Sequence, residues 1–194
     1  MYCLIGIFLN LIIDTHTYVA CTECSMEKRY LRRLKVSSSK EFDIASDELW
    51  TLISAPSNLD NCHPFCDTND VLQWDVDGHS DKLVYLNGRT YLRNFNNWSE
   101  GSGYSLLIGK EKGAQSYVVW EIESVSKSKS ILSITVYPFI LAKLPKPLAY
   151  LPHILWVKPR LRTYLESVLS GFQYYSTNNE PVPRNHFGKH PWFS

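Results

Sequence analysis

Side chains that could carry acid–base chemistry are scattered along this sequence and form no recognisable catalytic motif. An enzyme of this kind needs titratable groups that face one cavity. The sequence has no Ser–His–Asp order, phosphate-binding glycine loop or nucleotide-binding fingerprint. The candidates near strands or expected openings are His63, Arg93, Glu121, Glu123 and His153. No catalytic residue is therefore assigned, and enzymatic activity is left open.

Arg93 has the clearest chemical consequence among these candidates. It lies between Tyr91 and Phe95, and alternate residues of a strand point to one face of a sheet. If that face is internal, the guanidinium is buried, and a buried guanidinium requires an anion. This pattern makes Arg93 a candidate ligand-binding residue.

The five cysteines raise the question of a metal site. Cys21 and Cys24 form one close pair, and Cys62 and Cys66 flank His63 in a second group. Zinc sites favour two close thiolate pairs, but the second pair here is more widely spaced and lies far along the chain. We expect unpaired thiols in a reducing, cytoplasmic compartment, without a metal or another cofactor.

Composition favours one globular domain with a substantial core. The 194 residues are 44% hydrophobic and 20% charged, which is typical of a globular protein. There are 20 Lys+Arg against 19 Asp+Glu, a net charge of +1. Because no basic stripe accompanies this balance, we expect no nucleic-acid partner. The sequence leaves the oligomeric state open.

The N-terminal segment is expected to lie outside the domain. The apolar run MYCLIGIFLNLII is shorter than the about 20 residues of a membrane-spanning helix. No Lys or Arg precedes it, as a signal peptide would require, and Met26 begins a more ordinary start. We expect residues 1–33 to be an over-extended reading frame or a weak export or anchoring element. A domain at 34–176 and a tail packed on it at 177–194 would follow.

The middle of the chain predicts mainly antiparallel strands. KVSSSKEFDI alternates as a half-buried strand does, and two short helices follow it. Asn87 and Gly88 form a pair favoured by a type I′ turn, which predicts a hairpin over LVYLNGRTYLRNF. YSLLIGK, SYVVWEIESV and SILSITVYPF continue as a meander.

A long amphipathic helix is predicted near the C-terminus. Its apolar stripe has helical spacing and consists of Leu161, Tyr164, Leu165, Val168, Leu169 and Phe172. Pro159 is expected at the helix start, where its missing N–H costs little. The apolar stretch before it, residues 138–159, contains five prolines. We therefore expect a loop there instead of a continuous helix.

The order of these elements resembles the helix-grip fold of the START-like (SRPBCC) superfamily, especially its polyketide cyclase/dehydrase-like branch. FDIASDELWTLISAPSNLDNCHPF carries the resemblance, with Trp50 at a typical position, and WEIESV and the final helix extend it over residues 34–176. The resemblance implies an α+β domain whose curved antiparallel sheet wraps around a long C-terminal helix, with two short helices after the first strand. A cavity is expected between them, because one helix cannot fill the concave side of a wide sheet.

This resemblance implies a small hydrophobic or amphipathic ligand, such as a lipid or a polyketide-like molecule. The strands, the helix and the proline-rich loop, which would gate the cavity, are expected to supply the binding residues. They are Tyr85, Tyr91, Arg93, Phe95, Trp120, Ile134, Val136, Leu144, Trp156, Tyr164, Val168 and Phe172.

Other functions stay open at this point. A cyclase/dehydrase- or hydrolase-like enzyme would place a His or carboxylate in the cavity within hydrogen-bond reach of a Tyr or Arg. A protein-docking module without a ligand would show a filled interior beneath an exposed apolar patch. The proline-rich segment also carries Lys143, Lys146 and Lys158 and no acidic residue. A peripheral membrane contact through residues 138–159 is therefore a further possibility.

Overall fold

The structure is a computed structural model that describes residues 28 to 194. Of the described residues, 28 to 33 belong to a unit separate from Leu34–Ser194, and residues 28 to 31 are helical. The expectations for Cys21, Cys24 and the start at Met26 lie outside the described residues.

One antiparallel sheet dominates the domain of residues 34 to 194. Its seven strands have the order β1-β7-β6-β5-β4-β3-β2. They are β1 Val36–Phe42, β2 Cys66–Asp75, β3 Gly78–Tyr85, β4 Thr90–Ser99, β5 Gly103–Gly109, β6 Gln115–Ser126 and β7 Lys129–Tyr137. From β2 onward each strand pairs with the next along the chain, whereas β1 pairs with β7 and places Val36 opposite Val136. Register shifts in β2, β4 and β6 mark bulges, which bend strands and increase their twist.

Two short helices follow β1, as the sequence predicts. They are α1 Ser46–Ser54 and α2 Asn58–Cys62. The side-chain amide of Asn58 donates to the carbonyl oxygen of Ile53 at 2.7 Å, which satisfies a carbonyl that the end of α1 leaves free. This contact turns the chain directly from α1 into α2.

The β3–β4 hairpin is present, but the predicted type I′ turn is wrong. Gly88 has a φ of 76°, whereas Asn87 is not among the residues with positive φ. The connection has four residues, and the Asn87 side chain makes its key contacts. Its Oδ1 accepts the Arg89 N–H at 3.1 Å, and its Nδ2 donates to the Trp192 carbonyl at 2.8 Å. The turn therefore bonds the C-terminal segment through a side chain instead of using a left-handed backbone at Asn87.

The expected loop over residues 138–159 is wrong for most of its length. Residues 138–145 are non-helical, but α3 (Lys146–Pro152), a π-helical turn (His153–Val157) and α4 (Lys158–Asn178) then follow without a break. The long helix thus begins about three and a half turns before the predicted start at Pro159.

Prolines fit into this helix because of their positions. Pro147 lies in the first turn of α3, where a backbone N–H has no partner in any helix. Pro152 and Pro159 bracket the π turn, in which the Lys158 N–H donates to the His153 carbonyl five residues back. A π turn shifts the hydrogen-bond register, and it is a recognised way in which a helix accommodates an interruption.

Helix α4 packs on the sheet and on α2. The Lys40 ammonium donates to the Ser170 hydroxyl at 3.0 Å, which links β1 to α4. At Gly171, an added Cβ atom would lie 2.1 Å from the carbonyl oxygen of Cys62. α4 and α2 can therefore approach this closely only because residue 171 is a glycine. A curved sheet that holds a long C-terminal helix is the helix-grip α+β architecture predicted from the sequence.

Candidate ligand-binding cavity

A cavity of about 100 Å³ lies between the sheet and α4. Residues of β3 to β7, α2, α4, the segment after β7 and the C-terminus line it, and most of them are apolar. Tyr91, Ile108, Phe139, Ile140 and Trp192 are lining residues that are only partly buried.

Eight of the twelve predicted binding residues line this cavity. They are Tyr85, Tyr91, Arg93, Trp120, Ile134, Val136, Tyr164 and Val168. The strand residues among them were predicted from alternation, since alternate side chains share a face. Tyr164 and Val168 are one turn apart on α4 and therefore face the same side of it.

Phe95 and Phe172 do not line the cavity, although each continues a lining face. Phe95 packs edge-on against Trp98 and Tyr104, with ring centroids 5.6 and 5.0 Å away. Phe172 is fully buried and packs on Trp120 at 5.3 Å, one residue after the close approach at Gly171. Phe172 lies where the sheet and α4 meet without a gap and is core, whereas Phe95 is only partly buried and packs against the core among aromatic side chains of the sheet.

Leu144 and Trp156 also lie outside the cavity. They are 46% and 44% exposed. The prediction placed them in a loop folded over the cavity, whereas Trp156 belongs to the π turn and faces outward. Of the proline-rich segment, the cavity is lined by Pro138, Phe139 and Ile140.

The C-terminal residues Trp192 and Phe193 line the cavity and were not predicted to do so. Phe193 is 7% exposed and stacks on Tyr85, with ring centroids 4.5 Å apart. The ring of His190 stacks on Phe193 at 5.2 Å. The aromatic residues at the end of a polar tail were the available signal, but nothing in their spacing indicated where they insert.

Hydrogen bonds hold this C-terminal segment in place. The His190 N–H donates to the Ser194 hydroxyl at 2.7 Å, and that hydroxyl donates to Asn185 Oδ1 at 2.6 Å. The His190 ring bonds the Arg160 carbonyl at 3.0 Å through Nε2. Together with the bond from Asn87, these contacts attach the segment both to α4 and to the β3–β4 turn.

A chain of hydrogen bonds forms the polar part of the cavity. His63 Nε2 lies 2.9 Å from the Tyr164 hydroxyl, which lies 3.1 Å from the Tyr85 hydroxyl. His63 Nδ1 receives the backbone N–H of Phe65 at 3.2 Å, so this nitrogen must be the unprotonated acceptor. The proton of a neutral ring is therefore on Nε2, and His63 donates to Tyr164.

Burial keeps these groups uncharged near neutral pH. Desolvation, and to a smaller extent the nearby positive charge of Arg93, together lower the pKa of His63 to about 3. Desolvation also raises the pKa of Tyr85 and of Tyr164. A neutral imidazole and two neutral phenols can position a ligand through hydrogen bonds.

One hydroxyl hydrogen of this chain is left for a ligand. The Tyr164 oxygen accepts from His63, and one hydrogen bond joins Tyr164 to Tyr85. Two phenols carry two hydrogens, and that bond uses one of them. Within the described residues the second has no acceptor in the chain, so it can donate to an oxygen atom of a bound molecule.

Arg93 is charged within the cavity wall and has its anion in the protein. Its Nε donates to Asp81 Oδ1 at 2.7 Å, and its Nη2 pairs with Asp81 Oδ2. The two side chains are 4% and 0% exposed. Burial opposes the charged form of Arg93, but Asp81 more than offsets this effect and raises the pKa of Arg93. The anion that the sequence required is therefore Asp81.

The other acid–base candidates are not in the cavity. Glu121 and Glu123 are exposed to solvent on β6. His153 is buried in the π turn and does not line the cavity. Of the five acid–base candidates predicted from the sequence, only His63 and Arg93 line the cavity.

Cys62 and Cys66 are buried free thiols, and desolvation raises the pKa of both, to about 12 for Cys62. In residues 28 to 194, no three His, Cys, Asp or Glu side chains are grouped as a metal would require. No helix in the same range has the length and apolar character needed to cross a membrane.

Comparison with solved structures confirms the fold. A START superfamily protein from Mycobacterium smegmatis aligns with a TM-score of 0.57 and 12% identity, over 75% of this chain and 98% of that chain. The di-domain ARO/CYC BexL from the BE-7585A biosynthetic pathway aligns at 0.57 and 13%, over 74% of this chain and 46% of that chain. Ara h 8.0201 aligns at 0.51 and 14%, over 75% of this chain and 99% of that chain.

The comparisons give the fold and nothing finer. No protein-family model matches the sequence, and no curated protein matches it significantly. The chain has the START-like helix-grip fold predicted from its residues. At identities of 12% to 14%, the likeness assigns neither a ligand nor a reaction.

Proposed function

We propose that this protein binds a small, mostly apolar molecule in the cavity between the sheet and α4. The observation that carries the proposal is an internal apolar cavity with a few polar groups, Tyr85, Tyr164 and Arg93, along its wall. Ligand sites in proteins typically combine apolar walls with a few placed polar groups. The similarity to a START superfamily protein and to an ARO/CYC di-domain supports the same class of function.

The size of the cavity decides how a ligand would enter. About 100 Å³ is less than the roughly 150 Å³ of an apolar cavity that holds benzene in another protein. It is also well below the about 300 to 1,000 Å³ of pockets for drug-sized ligands. A lipid or polyketide-like molecule would therefore have to displace side chains. Phe193 and Trp192 are the proposed gate, because they come from a C-terminal segment and not from the sheet or α4.

The hydroxyl network narrows the chemistry of the ligand. The spare hydroxyl hydrogen of Tyr85 or Tyr164 favours a ligand with an oxygen acceptor, such as a carbonyl or hydroxyl group. Arg93 adds a positive charge nearby, although Asp81 neutralises most of it at short range. We therefore propose that the ligand is an apolar ring or chain that carries at least one oxygen atom.

A fluorescence titration with N-phenyl-1-naphthylamine, which is apolar and carries no oxygen, tests binding in the apolar cavity on the full chain. We expect saturable enhancement with the unchanged protein and its loss in Val168→Trp, because Val168 lines the cavity. Val125→Trp is the matched control, since Val125 is 50% exposed near the end of β6. Circular dichroism checks folding, and Ile134→Phe is a milder filling variant. Absence of saturable binding, or equal binding by folded filling variants, overturns the proposal.

A second candidate function is acid–base catalysis on the bound molecule. His63 within hydrogen-bond distance of Tyr164 favours it, since a histidine that contacts a tyrosine in a cavity is an arrangement suited to proton transfer. The lowered pKa of His63 opposes it, because a group of pKa about 3 is a weak base near pH 7. Mass spectrometry of a molecule retained from cell extract separates the two. A mass change with the unchanged protein and none with His63→Gln would support catalysis, whereas an unchanged mass would support binding alone.

A further inference from the structure

Exposed apolar side chains are concentrated on α3 and the π turn. Leu148, Leu151 and Leu155 are 66%, 64% and 73% exposed. Their spacing of three and four residues places them on one side of the helix. Trp156 is 44% exposed and follows Leu155 directly. Together these four residues form an apolar ridge.

Lysine residues flank the apolar ridge along the chain. Lys143, Lys146 and Lys158 are exposed, and within residues 28 to 194 none of the three belongs to an ion pair. The Arg160 guanidinium lies 5.3 Å from the centre of the Trp156 ring. From residue 124 to residue 165 the sequence contains no Asp or Glu.

The composition of this segment distinguishes a membrane from a protein partner. Residues 138–160 contain no Ser, Thr, Asn, Gln, Asp or Glu. Protein interfaces usually have a polar rim with about ten hydrogen bonds, and this segment offers few groups that could form one. Leucines with a tryptophan and flanking lysines are typical of helices that lie in a bilayer surface. Lysine stems extend over the apolar region while their ammonium groups reach phosphate.

We propose that the apolar ridge inserts into the surface of a bilayer that contains anionic phospholipids. Leu148, Leu151 and Leu155 enter the boundary between headgroups and acyl chains, and Trp156 lies at the interface. Lys143, Lys146 and Lys158 bind the anionic headgroups. The helix lies in the plane of the membrane surface and does not cross it.

The apolar ridge also contacts the segment that closes the cavity. The Trp156 and Trp192 rings meet edge to face at 5.3 Å, and Trp192 lines the cavity. The Arg160 carbonyl accepts a hydrogen bond from the His190 ring. Membrane binding would thus act on residues next to Phe193. Docking itself does not depend on the proposed ligand function.

Sedimentation with lipid vesicles tests the proposal on the full chain. We expect binding to vesicles of phosphatidylcholine with phosphatidylglycerol and weak binding to phosphatidylcholine alone. Leu151→Ser and Leu155→Ser should each weaken binding about tenfold or more. Lys146→Gln and Lys158→Gln should each weaken it roughly fivefold on anionic vesicles only.

Matched controls separate the apolar ridge from other apolar surface. Leu72→Ser and Val76→Ser change side chains on or beside the β2–β3 hairpin that are 57% and 102% exposed, and we expect no effect on binding. The apolar residues 1–13 are present in every variant. If Leu151→Ser and Leu155→Ser sediment as the unchanged chain does, binding comes from elsewhere and the proposal is wrong.

Further outcomes overturn the proposal as well. One is equal binding to neutral and anionic vesicles, and another is no binding to either. A third is a dimer in analytical ultracentrifugation that Leu155→Ser dissociates, which would assign the apolar ridge to a second copy of this chain. Naphthylamine binding should stay unchanged in Leu151→Ser and Leu155→Ser. A failure of membrane docking is therefore distinguishable from a failure of ligand binding.

Discussion

Phe193 stacks on Tyr85 with their ring centroids 4.5 Å apart, so a C-terminal ring occupies space beside the hydroxyl network of the cavity. Phe193 lies equally close to Tyr164, with its ring centroid 4.5 Å away. The C-terminal segment therefore fills the space that a ligand ring would use next to the two hydroxyl groups.

Removal of this ring should enlarge the cavity. We expect Phe193→Ala to bind N-phenyl-1-naphthylamine more tightly than the unchanged chain and to lose about 3 kcal/mol of unfolding free energy. Phe187→Ala is the control, because Phe187 is 41% exposed in the same tail. Fluorescence titration and urea denaturation measure the two effects. Unchanged or weaker binding by a folded Phe193→Ala variant would contradict the proposed role of Phe193 as a gate of the cavity.

The buried His63 should make stability depend on pH. Its pKa is about 3 in the folded protein and near 6.5 in the unfolded chain. Between these values the unfolded state binds a proton that the folded state does not. The free energy of unfolding should therefore fall by up to about 1.4 kcal/mol per pH unit as the pH drops from 6.5 toward 3. Above pH 6.5 this contribution is constant.

Two further histidines should also lower the free energy of unfolding as the pH drops. The pKa values of His153 and His190 are also lowered, mainly by burial. Urea denaturation over this pH range should show a shallower dependence of the unfolding free energy on pH for His63→Gln than for the unchanged chain. An identical slope in His63→Gln would remove His63 as a cause.

The buried Arg93–Asp81 pair should be costly to break and inexpensive to replace. Arg93→Met leaves Asp81 buried without a partner, and we expect a loss of about 3 to 5 kcal/mol. Arg93→Met combined with Asp81→Leu should recover much of this loss. Lys82→Met is the control, because the Lys82–Asp70 pair is 40% and 52% exposed and should contribute about 0 to 1 kcal/mol. Thermal denaturation of the variants measures these losses of stability. Equal losses in Arg93→Met and Lys82→Met would disprove the prediction.

Gly171 should be intolerant of any side chain. A Cβ atom there would lie 2.1 Å from the Cys62 carbonyl oxygen, so Gly171→Ala must push α4 away from α2. We expect a loss of about 1 to 3 kcal/mol, as overpacking usually causes, although alanine favours helices. Thr163→Ala, at an exposed site of α4, should change stability by less than about 0.5 kcal/mol. A Gly171→Ala variant as stable as the unchanged chain would show that α4 can move freely.

Several lining residues were predictable because their positions depend on local periodicity. Alternation placed Tyr91 and Arg93 on one face of β4, and helical spacing placed Tyr164 and Val168 on one face of α4. These two faces, one of β4 and one of α4, line the cavity. The same periods also selected Phe95 and Phe172, which do not line it. A period identifies a face, but it does not tell where along that face the two layers separate.

The sequence by itself determined the strands, the long amphipathic helix and their helix-grip order, since these follow from patterns that span a few residues. Only the tertiary structure decided that Phe193 enters the cavity and that Asp81 is the anion of Arg93. It also decided that the prolines before α4 lie in a continuous helix. For Phe193 the reason is physical: Asn87 bonds the neighbouring Trp192 across 105 positions of the chain, and a contact at that separation leaves no periodic trace in the sequence.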